Sequence, residues 1–171
     1  MSVEHSHISN ADDKFTVEEL SPYYSILFGV IGGAVSIIFS ACGAAYGTAK
    51  SMEGIVELGI KKPALIMRSI VPVVMAGILG INGLAVSVII IGRLTSAGNY
   101  SLYEGLKCMG AGIIVGFCNF ASGIAIGQLG DGGSRAMAYK PVVFTAFVAM
   151  QGFAMVIGLY GLIVAVILST Q

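Results

Sequence analysis

Long uncharged stretches alternate with short charged segments along the chain. Four stretches contain no Asp, Glu, Lys or Arg, and each is at least 23 residues long. A helix needs about 20 apolar residues to cross the hydrocarbon core of a bilayer, and it satisfies its own backbone hydrogen bonds there. The pattern therefore predicts an all-α membrane protein with four transmembrane helices. The stretches are Leu20–Ala49, Ser69–Gly92, Cys108–Gly130 and Val142–Leu168.

The second half of the chain repeats the first. The segment ACGAAYGTAKSMEG (41–54) aligns with ASGIAIGQLGDGGS (121–134), and INGLAVSVII (81–90) aligns with LYGLIVAVIL (159–168). The offsets are 80 and 78 residues, so each repeat is one helical hairpin. A two-helix unit returns to the side where it started, so the hairpins share one orientation, unlike the inverted repeats of many carriers. The predicted organisation is a polar N-terminal tail (1–21), a first helical hairpin (22–95) and a second helical hairpin (96–171).

Basic residues are unevenly distributed between the two sides of the predicted bundle. Loops that stay in the cytoplasm carry an excess of Lys and Arg. Six basic residues flank the two hairpin turns, and three lie toward the other side. Both termini are therefore predicted to be lumenal, and the polar tail is expected to be solvated and disordered. The turns carry Lys50, Lys61, Lys62, Arg68, Arg135 and Lys140, and the opposite side carries Lys14, Arg93 and Lys107.

Glycines recur at four-residue spacing in the first and third predicted helices. A glycine costs a helix about 1 kcal/mol relative to alanine in water, but in membranes it lets backbones approach closely. Two interpretations are open: packing inside one chain, or a ring with these helices as a tight inner circle inside the bulkier second and fourth helices. The parallel repeat favours the ring. The glycines are Gly29, Gly33, Gly43, Gly47, Gly112, Gly116, Gly123 and Gly127.

Few residues have side chains suited to catalysis, metal binding or nucleic-acid binding. Only 11% of the residues are charged and the net charge is zero, so the basic surface that a nucleic-acid partner needs is missing. Cys42, Cys108 and Cys118 lie in or beside apolar segments and match no zinc spacing, which predicts small packing residues. No cofactor or metal site is expected. The long apolar runs exclude a soluble enzyme.

Four amide side chains and Pro72 stand out inside the predicted helices. Asn82, Asn119, Gln128 and Gln151 carry amides, which do not titrate and which pair across helices in membranes. Each amide is therefore predicted to form an interhelical hydrogen bond, with simple hydration as the alternative for Gln128 near the cytoplasmic end of the third helix. Pro72, early in the second helix, is predicted to kink it.

Distinctive motifs extend over most of the chain. They are FSACGAAYGTAKS (39–51), KPALIMRSIVPVVMAGILGI (62–81), YSLYEGLKCMGAG (100–112), GIAIGQLGDGG (123–133) and GLYGLIVAVILST (158–170). Together they resemble the proteolipid (c-type) subunits of V-type proton-pumping ATPases. The resemblance implies a membrane ring that turns with a central stalk as ATP is hydrolysed, with no enzymatic activity in the chain itself. It implies other proteolipid subunits, the a subunit of the stator, the d subunit of the central stalk and the lipid bilayer as partners, in a vacuolar or other acidic endomembrane.

The same resemblance points to the residue on which proton transport depends. In the family a single glutamate lies in the middle of the last helix, in a run similar to FAEVLGLYGLI. Here the run is FAMVIGLYGLI (153–163), which places Met155 at the glutamate position. The glutamate must change its charge between lipid and stator, and methionine has no titratable group. The implied surroundings of the proton site are Gln151, Met155, Tyr160 and, through the internal repeat, Gly77.

Two functions remain open at this point. The first is a non-titrating member of a mixed rotor ring, in which neighbouring chains carry the glutamates for proton transport. The alternative is a structural membrane ring or assembly scaffold without transport activity. Glu53, Glu57, Glu104 and Asp131 are not expected to replace the carboxylate, because they lie in or beside the predicted connections.

Overall fold

The computed structural model describes the backbone of residues 3–96 and 101–170, with side chains from Tyr24 to Thr95 and from Ser101 to Thr170. All regular structure in these ranges is helical. The four predicted spans are confirmed, because four segments are long and apolar enough to cross a membrane. These segments are Tyr24–Lys61, Pro63–Thr95, Leu102–Tyr139 and Pro141–Thr170.

Five α-helices make up these spans. They are α1 (Val3–Lys61), α2 (Ile66–Ser69), α3 (Val71–Ser96), α4 (Leu102–Tyr139) and α5 (Phe144–Thr170), with short 3-10 helices at Pro63–Leu65 and Pro141–Val143. Because α1 is helical from Val3 onward, the expectation of a disordered tail is wrong for the part of that tail that the structure describes. No break in α1 marks the boundary between the tail and the first hairpin.

Each hairpin turns at a Lys-Pro pair. A proline has no N–H to donate, and it pushes the preceding residue out of the helical region. Lys62 (φ −145°, ψ 85°) and Lys140 (φ −134°, ψ 105°) are accordingly non-helical. The turns are therefore very short. Of the basic residues that the sequence places around them, only Lys62 and Lys140 lie in the turns themselves, and the others lie in α1, α2 and α4.

Pro72 breaks the second span. It cannot donate a backbone hydrogen bond to the residue four positions earlier. The helix is interrupted at Ile70, whose carbonyl accepts from the backbone N–H groups of Val73 (3.0 Å) and Val74 (3.2 Å). The predicted kink is confirmed as a break between α2 and α3.

The two hairpins lie side by side in the same orientation. Asn119 of α4 donates to Ser40 of α1, 79 positions earlier. Nearer the termini, Ser25 donates to the carbonyl of Ser101, 76 positions later. Because the offset stays nearly constant along the pair, α1 and α4 are parallel. This confirms the parallel duplication.

The helices form two layers. α1 and α4 pack most extensively against each other, α3 packs against α1, α4 and α5, and α5 packs against α4 and α3. α3 therefore covers the groove between α1 and α4. α5 covers the far side of α4 without extensive contact with α1.

Glycines set the distance between α1 and α4. A Cβ added to Gly112 would lie 2.0 Å from the carbonyl oxygen of Gly32, and one added to Gly123 would lie 2.2 Å from that of Gly43. The predicted glycines all face other helices of the same chain, while their role in ring packing stays a prediction. Gly43, Gly47, Gly112, Gly116, Gly123 and Gly127 face across the α1–α4 pair, and Gly29 and Gly33 face α3.

Replacing Gly123 with alanine tests this packing. The new methyl group would meet the backbone of Gly43, which can give way only if the two helices separate. We expect Gly123→Ala to lower the free energy of unfolding in detergent by about 1–3 kcal/mol, as for other overpacked sites. The control is Gly77→Ala, because an added Cβ there meets nothing within 4 Å. Equal losses in the two variants would contradict the close approach of α1 and α4.

Candidate functional site

Met155 lies near the middle of the last span, Pro141–Thr170. Its side chain is partly buried and packs against a cluster of apolar residues. The cluster comes from three helices of the same chain, so one side of Met155 is enclosed by α3, α4 and its own helix. The cluster residues are Ala76, Leu79, Ile126 and Ala154.

Gln151 lies one turn before Met155 and is fully buried. Its Nε2 donates to the carbonyl oxygen of Ile126 at 3.2 Å, which confirms the predicted interhelical bond. Its Oε1 has no hydrogen-bond partner among the described residues. A buried acceptor left unpaired costs about 1–3 kcal/mol, which offsets part or all of what the Nε2 bond contributes to stability.

Asn119 links three helices beside this site. Its Nδ2 donates to Ser40 Oγ of α1 at 2.9 Å and to the carbonyl oxygen of Leu79 of α3 at 3.2 Å. Ser122, one turn later, donates to the carbonyl oxygen of Ala154 at 2.7 Å. The interhelical bond predicted for Asn119 is confirmed. Together, the bonds of Asn119 and Ser122 hold the outer helices α3 and α5 against the inner pair of α1 and α4.

The other two residues predicted around the proton site lie apart from this buried layer. Tyr160 is 63% exposed and lies about 140° around α5 from Met155, at 100° per residue. Gly77 is exposed, and no heavy atom comes near the position of an added Cβ. The structure thus brings Gln151 and Met155 together around Ile126, and it places Tyr160 and Gly77 on the outer surface.

For Asn82 and Gln128, no interhelical bond is found among the described residues. Asn82 is buried, but its Nδ2 has no partner in the part of the chain that the structure describes. Gln128 is exposed and lines a groove between α4 and α5. Cys108 is buried in an apolar cluster, in keeping with its predicted packing role.

A charged network joins the ends of α1 and α4. Lys50 pairs with Glu53 and, at 3.7 Å, with Asp131. Arg135 pairs with Asp131 at 2.7 Å and with Glu57 at 2.9 Å. Lys50–Glu53 and Arg135–Asp131 are local pairs within one helix. Sequence reasoning missed the two pairs that join them into a network, because Lys50–Asp131 and Arg135–Glu57 connect different hairpins.

The carboxylates of this network lie at a different level along the helices from Met155. Asp131 is nine residues beyond Ser122, which corresponds to about 13 Å along the helix axis. Within residues 24–95 and 101–170, no group of three or more His, Cys, Asp or Glu side chains could hold a metal ion. The described surroundings of Met155 are therefore apolar residues and amides.

Two amide substitutions test how this layer is held together. We expect Gln151→Met to change the free energy of unfolding by less than about 1 kcal/mol, because it removes one hydrogen bond together with an unpaired acceptor. Asn119→Leu also removes an unpaired acceptor, Oδ1, but it should cost about 1–3 kcal/mol, because it removes two bonds that reach two other helices rather than one. Denaturation in detergent measures both. A larger loss for Gln151→Met would show that its Oε1 makes an interaction essential to the fold.

The chain matches a known family twice. The family model that describes the C subunit of ATP synthase matches residues 31–90 and residues 109–168. Each match lies within one hairpin, so the two hairpins are two copies of the same family unit. Assembly into a ring is consistent with this family.

Full-length relatives give a closer comparison. The V-type proton ATPase 16 kDa proteolipid of Nephrops norvegicus is 52% identical over 154 residues, which are 90% of this chain and 97% of that protein. The protein of that name from Rattus norvegicus is 50% identical over 151 residues, 88% of this chain and 96% of its own length. The one from Ascaris suum is 47% identical over 149 residues, 86% and 92% of the two chains.

These comparisons confirm the resemblance seen in the motifs. Together with the four apolar spans, they identify an integral membrane protein of the proton-transport machinery that is not catalytic by itself. The chain belongs to the V-type proton ATPase 16 kDa proteolipid family, the c-type subunits of that pump.

Proposed function

We propose that this chain is a rotor-ring subunit that occupies a position in the membrane sector of a V-type ATPase without carrying a proton. The observation that carries the proposal is the position of Met155. It lies in the middle of the last span, against an apolar cluster, where the family resemblance implies a glutamate. A methionine there fills space but cannot bind or release a proton.

The charged residues of the chain support the same view. A proton carrier must be neutral when it faces lipid, because a charge in hydrocarbon costs several kcal/mol, and it must ionise in a hydrated environment. The carboxylates of Glu53, Glu57 and Asp131 are paired with bases at the ends of α1 and α4. Glu104 lies in the first turn of α4. None of these four groups lies at the level of Met155.

A mixed ring follows from this chemistry. A ring made only of this chain would have no titrating group at the family position and would not pump. In a ring with glutamate-bearing relatives, the remaining carboxylates would carry the protons, and each revolution would move fewer protons for the same ATP. Such a pump would therefore sustain a steeper proton gradient.

The proposed contacts of this chain with other subunits follow from the orientation of its helices in the membrane. Lys62 and Lys140 mark the short turns, which we place on the cytoplasmic side by the distribution of basic residues. The termini would then be lumenal, and the turns would face the d subunit of the central stalk. The outer layer, which contains Met155, would pass the a subunit of the stator in a vacuolar or other acidic endomembrane.

A structural ring or assembly scaffold without transport is the alternative. The tight α1–α4 packing and the hydrogen bonds of Asn119 favour it, because they preserve architecture without needing a titrating group. Copurification separates the two functions. A component of the pump should be isolated with the ATPase stalk, and a separate scaffold should not.

Restoring a carboxylate tests the proposal. In vesicles that contain the complete complex, Met155→Glu should add one proton per revolution for each copy of the chain, and the ratio of protons moved to ATP hydrolysed should rise. The matched control is Met155→Leu, which should leave that ratio unchanged. Proton uptake and phosphate release, measured on the same vesicles, give the ratio. An unchanged ratio for Met155→Glu, with the chain present in the complex, would contradict the proposal.

A further inference from the structure

Two buried serine hydroxyls lie near the charged ends of α1 and α4. Ser69 ends α2 and Ser134 lies in α4, and neither residue has any solvent exposure. Neither Oγ has a hydrogen-bond partner among the described residues. A buried serine in a helix can bond to a carbonyl one turn earlier, as Ser51 does with Gly47 at 2.7 Å. Because buried polar groups are almost always paired, these two hydroxyls call for a further partner.

The two serines belong to one layer of the bundle. A Cβ added to Gly47 of α1 would lie 3.2 Å from the Cβ of Ala76 of α3, and one added to Gly127 of α4 would lie 3.1 Å from the Cα of Gly47. These three residues therefore share a level. Seven residues are about two helical turns and return to the same side of a helix. Two turns closer to the hairpin turns, the corresponding residues are Gly54, Ser69 and Ser134.

The break in the second span adds a buried acceptor to this layer. In an unbroken helix the carbonyl of Ser69 would accept from Val73, but the N–H of Val73 donates to Ile70 instead, at 3.0 Å. Ser69 has no solvent exposure, so its carbonyl is buried together with its hydroxyl. Backbone groups that a proline frees in a membrane helix are satisfied by neighbouring side chains or by ordered water.

The second hairpin has no such layer. The residues 78 positions after Ser69 and Pro72 are Phe147 and Met150, and α5 continues through both without a break. Phe147 is buried, and its ring fills the space in front of Gly133. An apolar ring thus replaces the hydroxyl, and the polar layer is a property of the first break alone.

We propose that a water molecule binds in this layer and bridges the hydroxyls of Ser69 and Ser134 and the carbonyl of Ser69. Water both donates and accepts, and a buried water typically makes about three hydrogen bonds. The three oxygens of the site carry no charge. The nearby carboxylate of Asp131 is paired with Lys50 and Arg135, so a cation in the layer would lack a free counter-charge and a neutral ligand fits better.

The charged network gives water a route to the site. Glu57 and Arg135, close to Gly54 and Ser134 along their helices, have side chains that are 43% and 48% exposed. The bound water would link α2 of the first hairpin to α4 of the second. It would thereby hold the broken end of the second span against the inner pair of helices. The site lies within one chain and does not rest on the proposed function.

Water-edited solid-state NMR tests the site in the complete chain, reconstituted in lipid bilayers with isotopically labelled serine. The experiment measures the transfer of magnetisation from water to each serine Cβ. Signals of Ser69 and Ser134 are assigned by their loss in Ser69→Ala and Ser134→Ala. Transfer to both should be fast. The internal controls are Ser36 and Ser122, whose buried hydroxyls already donate to carbonyls, and transfer to them should be close to zero.

Substitution of one serine tests whether the two share a water. In Ser69→Ala the fast transfer to Ser134 should be lost, and Ser69→Thr, which keeps the hydroxyl, should retain it. The matched control is Ser51→Ala, which removes a buried hydroxyl that bonds within its own helix and should leave the transfer to Ser134 unchanged. Constant chemical shifts of Ser36 and Ser122 verify the fold of each variant. If Ser69→Ala shifts them, Ser134→Ala with Ser69 as the reporter gives the reciprocal test.

Three results would overturn the shared water. Slow transfer to both serines in the unsubstituted chain would show that their hydroxyls bond to protein atoms. Fast transfer to Ser134 that persists in Ser69→Ala would show that no single water bridges the pair. Loss of the transfer when sodium and potassium are replaced by N-methylglucamine would identify a bound cation as the ligand.

Discussion

The close approach of the α1 and α4 backbones is the constraint on which the rest of the structure depends. Glycine pairs such as Gly32 with Gly112 and Gly43 with Gly123 leave no room for side chains between the helices. Only at this distance can Asn119 reach Ser40 on α1 and the carbonyl of Leu79 on α3 in one set of bonds. In a bilayer, where lipid competes equally for apolar surface, such backbone contact and interhelical hydrogen bonding drive association. The outer layer, and with it Met155, is positioned by this inner pair.

The two hairpins of the duplication share one arrangement of helices but differ in their side chains at equivalent positions. Asn119 and Gln151 form interhelical bonds in the second hairpin, where the first hairpin has Phe39 and Val73. The position of Met155 corresponds to Gly77 in the repeat, and neither residue titrates. Under the proposed function, a chain with this arrangement would support a rotating ring mechanically while contributing nothing to its proton count. On that proposal, architecture and proton transport would be separable in this fold, because packing depends on glycines and amides and the family resemblance implies that transport depends on a carboxylate.

Periodicity and composition are sufficient to predict the structural features that depend on residues close together in the sequence. The four spans, the parallel hairpins and the break before Pro72 follow from residue type and spacing. Residue type also predicted interhelical bonds for four amides, of which those of Asn119 and Gln151 are found. The ion pairs of Lys50 with Asp131 and of Arg135 with Glu57 cannot be predicted in this way, because each joins two different hairpins. Such pairing depends on which helices are neighbours, and no local pattern records it.

The direction in which a side chain points is the second property that sequence reasoning predicts only in part. Five residues separate Tyr160 from Met155, which is more than one helical turn and places them about 140° apart. The helical period is therefore enough to assign them to different sides of α5, whereas the bond of Gln151 to Ile126 also depends on the depth at which α4 and α5 meet.

The most direct test of the central claim is the intact mass of every proteolipid in the native complex, with peptide sequencing across residue 155. The complex would be purified through its stalk and tested for proton pumping. A non-titrating ring member predicts this chain, with methionine at 155, at a fixed ratio to a glutamate-bearing relative. A pumping complex whose only proteolipid is this chain would contradict that account, because the ring would then move protons without a carboxylate at the family position.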